Sequence, residues 1–298
     1  MSEKIFGDYD QAGLDQQYDN RAKVAQSAEM LQQCAVDSES YRQQAGGRLD
    51  VSFGPGADET LDVFPAPAAT METDAGLAPI QVFIHGGYWK MLSKDDYSYV
   101  AKAFTPKGCA TVVLNYGLIP GIDMDELVRQ CRAALAWTYR NAASFGGDRE
   151  RIYVSGHSAG GHLVAMAMAT DWPAFDGEMP VLPADLLKGG CGISGLYDLE
   201  PIRLCFLNDD LKLTVVEAAR NSPVHLAPGG TGPLILVLGG DEGPEYLRQS
   251  EALAAAWRDT GLALEVVVLT GQNHFSIVDQ LNDPEAELSR LILRQMGC

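Results

Sequence analysis

From residue 80 onward, short apolar runs rich in β-branched residues alternate with longer stretches of helical periodicity. The runs cover residues 80–84, 110–114, 152–155, 189–193, 234–238 and 264–269, and the helical stretches cover 94–105, 123–145, 159–170, 244–260 and 284–296. Near-continuous apolar strands separated by helices predict a mainly parallel sheet covered on both faces. Before that point the pattern is weaker. Two short runs, 49–53 and 60–63, predict a hairpin within the Gly/Pro/Ala-rich stretch 54–79. Residues 9–44 are polar and Gln/Ala-rich, with Leu14, Tyr18, Ala22 and Ala25 at three-to-four-residue spacing, which predicts amphipathic helix lying on a core built elsewhere. No internal repeat or low-complexity linker divides the chain. One domain over 1–298 is therefore expected, with a helical segment at 1–45 and an excursion at 196–228 that forms a small cap.

Composition narrows the function classes. With 298 residues, 46% of them hydrophobic, the chain is long enough for a large core and too apolar for wholesale disorder. Its 22 basic and 40 acidic residues give a net charge of −18, a surface that repels phosphate backbones and anionic lipid. Nucleic-acid and membrane partners are disfavoured, and no apolar run approaches the roughly 18 residues of a membrane helix. The start, Met1 to Asp8, lacks a basic stretch followed by an apolar one, so a cytoplasmic location is expected. Six cysteines at 34, 109, 131, 191, 205 and 298 lie too far apart for a CxxC clamp and read as reduced, mostly buried thiols. Asp95-Asp96 and Asp209-Asp210 lack histidines at ligand spacing, so no metal is expected. No Gly-rich phosphate loop follows the first parallel strand, so no nucleotide cofactor is expected either.

The chemistry concentrates in Gly156-His157-Ser158-Ala159-Gly160, a GxSxG between an apolar strand and a helix. A serine on so sharp a turn needs tiny neighbours two positions before and after it. The helix start behind it favours developing negative charge. A serine hydroxyl needs a base. Of five histidines, His157 and His162 lie in the elbow and its helix, and His225 sits in a Pro-flanked loop. His274, in the loop after run 264–269, is placed to reach back over Ser158. The run 234–238 ends in Gly239-Gly240-Asp241-Glu242-Gly243, which offers either Asp241 or Glu242 to orient the imidazole. His85-Gly86-Gly87-Tyr88-Trp89 follows the first parallel strand. Its glycines allow N–H groups of the loop to approach a substrate carbonyl, forming with Ala159 an oxyanion hole over Gly86, Gly87, Tyr88 and Ala159. His85 is expected to hold that loop through backbone hydrogen bonds. Tyr88, Trp89 and the segment 196–206, Tyr197 among it, are expected to wall the pocket.

These motifs resemble the α/β-hydrolase superfamily, and within it arylformamidases (kynurenine formamidases) and related bacterial carboxylesterases. The elbow Gly156-His157-Ser158-Ala159-Gly160-Gly161 and the HGGxW-like His85 to Trp89 carry the resemblance. Tyr18-Asp19-Asn20-Arg21, Gly147-Asp148, residues 194–199 and Asn273-His274-Phe275 extend it over nearly the whole chain. It implies an α/β-hydrolase fold with an eight-stranded, mainly parallel sheet. It also favours Glu242 over Asp241 as the acid, from its spacing to Gly239 and Pro244-Glu245-Tyr246, although many relatives carry aspartate there. The implied activity is a serine hydrolase that cleaves a small carboxylic ester or an aryl N-formamide through an acyl-enzyme. A lactonase or a hydrolase of xenobiotic amides or carbamates would use the same residues, and a non-catalytic ligand-binding scaffold is the reading from another class. The resemblance allows a homodimer, but no interface is legible.

Overall fold

The strands and their order fix where the loops converge. A computed structural model describes residues 3–67 and 76–298; residues 1–2 and 68–75, part of the chain start and of the Gly/Pro/Ala-rich stretch, lie outside the described residues. Eight strands make one sheet: β1 (Arg48–Ser52), β2 (Thr60–Phe64), β3 (Ala78–Ile84), β4 (Ala110–Leu114), β5 (Gly147–His157), β6 (Leu187–Ile193), β7 (Leu234–Gly239) and β8 (Leu264–Leu269). Their spatial order is β1-β2-β4-β3-β5-β6-β7-β8. The hairpin of β1 and β2 is antiparallel, β2 runs antiparallel to β4, and all remaining pairs are parallel.

Every residue of β3 and β4 is buried, as two covered faces require. Alternation along β3 sends Val82 and Ile84 into one core and Phe83 into the other. The first core takes Leu127, Leu163 and Leu253 from the helices Met124–Asn141, Ala159–Met168 and Pro244–Trp257. The second takes Phe104 and, from the helix Glu287–Met296, Ile292. Each such side chain contributes roughly 1.5–3 kcal/mol by leaving water. The edge strand β8 is only partly buried.

One expectation fails. The segment 94–105 is not one helix but 3-10 turns at Lys94–Asp96 and Ser98–Val100 followed by the helix Ala101–Phe104. Tertiary contacts win over local propensity there. The Lys94 ammonium is buried between Asp50 (2.7 Å) and Asp62 (2.9 Å), and Tyr97 and Tyr99 both enter the core. Residues 9–44 form three helices, Gln11–Tyr18, Asn20–Lys23 and Ser27–Ala45; Asp19 ends the first and caps the second. The 196–228 excursion holds the helices Glu200–Leu204, Asn208–Leu211 and Val215–Arg220. All six cysteines are free thiols, and only Cys298 is exposed. Among the described residues no helix is long and apolar enough to cross a membrane, and no cluster of metal-ligating side chains occurs.

Candidate active site

The parallel strands all end at the same edge of the sheet, so the loops after β3, β5, β6, β7 and β8 meet there. Ser158 occupies the turn between β5 and the helix Ala159–Met168, with φ 57° and ψ −115°. Such a backbone is strained for a residue with a Cβ. The tiny-neighbour requirement is visible in distances. A Cβ on Gly156 would lie 2.4 Å from the Gly160 carbonyl oxygen, and one on Gly160 would lie 2.1 Å from that of Ile84.

His274 reaches this turn from the loop after β8. Its Nε2 lies 3.0 Å from Ser158 Oγ, and its Nδ1 lies 2.7 Å from Glu242 Oε2. A carboxylate oxygen accepts, so the His274 proton sits on Nδ1 and Nε2 is left to accept from the serine hydroxyl. Glu242 is 2% exposed, and its Oε1 accepts from Ser194 Oγ (2.5 Å) and from the Gly239 N–H (2.6 Å). Asp241 is exposed, and its main chain donates N–H to the Gln272 carbonyl (3.0 Å). The acid in contact with His274 is Glu242.

The loop after β3 lies directly on the elbow. A Cβ on Gly86 would sit 3.2 Å from the Ser158 Cβ. At Gly87, φ is +110° and a Cβ would collide with the Met91 carbonyl at 2.0 Å, so only glycine fits. The N–H groups of Gly87 and Tyr88 donate to no partner among the described residues. Ala159 is the first residue of its helix, whose N–H lies outside the helical ladder. His85 is fully buried, donates Nδ1–H to the Gly86 carbonyl (2.8 Å) and stacks on Tyr116 at 4.0 Å. Burial pushes its imidazole down to about 4, so it braces the loop as a neutral ring.

A cavity of about 140 Å³ opens over Ser158. Gly87, Tyr88, His157 and His274 line it, together with Met30, Leu31 and Cys34 of the N-terminal segment and Phe206 and Leu207 of the excursion. Of the three aromatic residues expected to wall the pocket, Tyr88 lines this cavity, whereas Trp89 and Tyr197 do not. Trp89 is buried beneath the loop, donating Nε1–H to His162 Nδ1 (3.2 Å), and the Tyr197 hydroxyl packs against Gly192 and Gly195. Tyr88 and Trp89 both have left-handed backbones (φ 48° and 59°), which turn the loop between them and separate their side chains.

The site also uses residues without an assigned role in the sequence reading. Asn20 donates to the hydroxyls of Tyr246 (2.6 Å) and Tyr88 (2.9 Å), and the Tyr88 hydroxyl donates to the Tyr18 carbonyl (2.7 Å). Tyr246 packs 5.0 Å from the His274 ring. These contacts stitch the N-terminal segment to the β3 loop and to the helix after Glu242. Their signal in the sequence was present in Tyr18 to Arg21 and Pro244 to Tyr246, but partners more than 220 residues apart cannot be paired from one chain.

Comparison with known proteins agrees with this architecture. The BD-FAE family model matches residues 65–197. Kynurenine formamidase of Danio rerio is 33% identical over 254 residues, covering 84% of this chain and 82% of its own. That of Salmo salar is 33% identical, covering 87% and 85%. Esterase LipC of Mycobacterium tuberculosis is 27% identical, covering 84% of this chain and 65% of its own. Among solved structures, a protein of Silicibacter sp., provisionally named a thioesterase, superposes with a TM-score of 0.79 at 28% identity over 94% of this chain and 98% of its own. The carboxylesterase EstE1, cloned from a metagenomic library, shares the fold at a TM-score of 0.66 and 18% identity, covering 90% and 97%. The chain belongs to the α/β-hydrolases of the arylformamidase and esterase type.

Proposed function

We propose that this hydrolase cleaves a small carboxylic ester or an aryl N-formamide through a covalent acyl-enzyme on Ser158. The carrying observation is the buried succession Ser158 Oγ, His274 and Glu242, at 3.0 and 2.7 Å, with Ser158 and His274 lining the cavity and Glu242 behind them. Ser158 Oγ adds to the substrate carbonyl carbon while its proton passes to His274 Nε2. The carbonyl electron pair moves onto oxygen, where N–H groups of Gly87, Tyr88 and Ala159 receive it, with Gly86 allowing the close approach. Each such donor is worth about 3–4 kcal/mol to the transition state. Glu242 stabilises the imidazolium. That imidazolium returns the proton to the departing oxygen or nitrogen as the carbon–heteroatom bond breaks. Water then repeats the sequence on the acyl-serine, releasing the acid and restoring Ser158.

Cavity size supports a small substrate: its volume of about 140 Å³ is near the ~150 Å³ that accommodates a benzene ring. The Danio rerio and Salmo salar relatives, named kynurenine formamidases, support the formamide arm, and esterase LipC supports the ester arm. Assays with p-nitrophenyl acetate and N-formylkynurenine separate the two. Turnover of both is expected. Ester cleavage without formamide cleavage removes the formamide arm, and turnover of neither, nor of longer acyl esters, overturns the proposal.

A further inference from the structure

We propose that His157 is a positioning residue, whose Nε2–H, donated to the main-chain carbonyl of His274 at 2.8 Å, holds the base loop in register with Ser158. This rests on the hydrolase reading above and adds a residue to it. His157 is the last residue of β5 and covalently adjoins Ser158, so its hydrogen bond closes a small ring of contacts. One side runs from Ser158 Oγ to the His274 imidazole; the other runs from the His274 carbonyl through the His157 ring back to the Ser158 main chain. The Oγ-to-Nε2 separation is thereby set through two adjacent residues and one hydrogen bond, rather than through the whole sheet.

The chemistry of the ring fits this role. A carbonyl only accepts, so His157 carries its proton on Nε2, and Nδ1 is a buried lone pair without a hydrogen-bond partner among the described residues. The ring is 4.7 Å from that of His274, and a Cβ on Gly86 would lie 3.3 Å from Nδ1, so the glycine leaves the His157 ring its place beside the base loop. Burial, and the neighbouring His274, drive its pKa well below the ordinary histidine value. It therefore stays neutral and adds no like charge beside the imidazolium that forms on His274.

The test compares His157→Leu, His157→Gln and His157→Asn with the wild type, by steady-state kinetics on p-nitrophenyl acetate and by the rate of fluorophosphonate labelling. A loosened base loop is expected to lower kcat about 100-fold in His157→Leu. KM should stay within about threefold, and labelling should slow in proportion to kcat. The glutamine Nε2 reaches the position of the lost donor, whereas the asparagine amide ends near the former Nδ1. His157→Gln is thus expected to recover kcat to at least about tenfold above His157→Asn. If His157→Leu does not fold, the glutamine and asparagine pair alone decides. Equal kcat in those two, or wild-type kcat in a folded His157→Leu, overturns the inference while leaving the hydrolase reading intact. A wild-type protein that neither turns over ester nor labels overturns both.

Discussion

Glu242 and Asp241 are neighbours with opposite fates. The two oxygens of Glu242 face His274, Ser194 and the Gly239 N–H, while Asp241 points into water. Glu242→Gln keeps the volume but removes the carboxylate that orients and charge-balances the imidazole. Its kcat is expected to fall about 10⁴-fold, as when the acid of another serine-hydrolase triad is removed. Asp241→Asn should stay within about twofold of wild type. Steady-state kinetics on p-nitrophenyl acetate checks the pair, and a larger loss in Asp241→Asn contradicts the assignment. At this scale the candidate serine could be picked out because a turn between strand and helix constrains residue type locally, and the candidate histidine because five histidines leave few alternatives. The choice of acid was not settled by the residues themselves, since adjacent side chains in a loop diverge along a main-chain path that only the fold defines. The place of Trp89 is hidden from the sequence for the same reason: a left-handed turn at Tyr88 and Trp89 sends one ring to the cavity and the other beneath it.

Among the elements, the elbow leaves no room for a side chain. A methyl group on Gly160 would meet the Ile84 and His85 carbonyl oxygens at 2.1 and 2.7 Å, both main-chain atoms of the neighbouring strand and loop. Neither can yield without moving β3 or its loop. Gly160→Ala is expected to cost about 3 kcal/mol in urea unfolding. Gly240→Ala, whose methyl would meet nothing closer than 3.5 Å, should change stability by no more than about 0.5 kcal/mol. Equal midpoints for the two variants would contradict the packing argument. The parallel strands were readable from their continuous apolar runs, because burial on both faces leaves no polar position in β4 other than Thr111. Segment 94–105 was not readable, since a buried Lys94 held by Asp50 and Asp62 overrides its helical periodicity. The break at Asp19 inside the helical N-terminal segment was not readable either, since it places Asn20 against Tyr88 and Tyr246 far along the chain.

For the whole molecule, buried histidines link stability to pH. His85 and His162 are pushed down to about 4 by burial, and His157 is also held well below its ordinary value. Below the unfolded value of about 6.5 the unfolded chain binds protons at these rings that the folded chain refuses. Their contribution is therefore fully present above about pH 6.5 and is lost as pH falls toward 4, by up to about 1.4 kcal/mol per histidine per pH unit. Asp62 and Asp96, raised by burial, take up protons in the folded state and offset part of this slope at its acid end. The net charge of −18 adds self-repulsion that weakens with acidification, so urea midpoints should be compared in about 0.5 M salt, where exposed charges are screened. A midpoint that falls from pH 7 to pH 5 is expected; a flat or rising one contradicts the neutral, buried state of these rings. The central claim is that the fold delivers an activated hydroxyl at Ser158, and reaction with a fluorophosphonate probe followed by peptide mass mapping tests it most directly. One adduct per chain, located on Ser158 and absent from Ser158→Ala, is expected; an unlabelled wild-type chain, or an adduct on another residue, would contradict it.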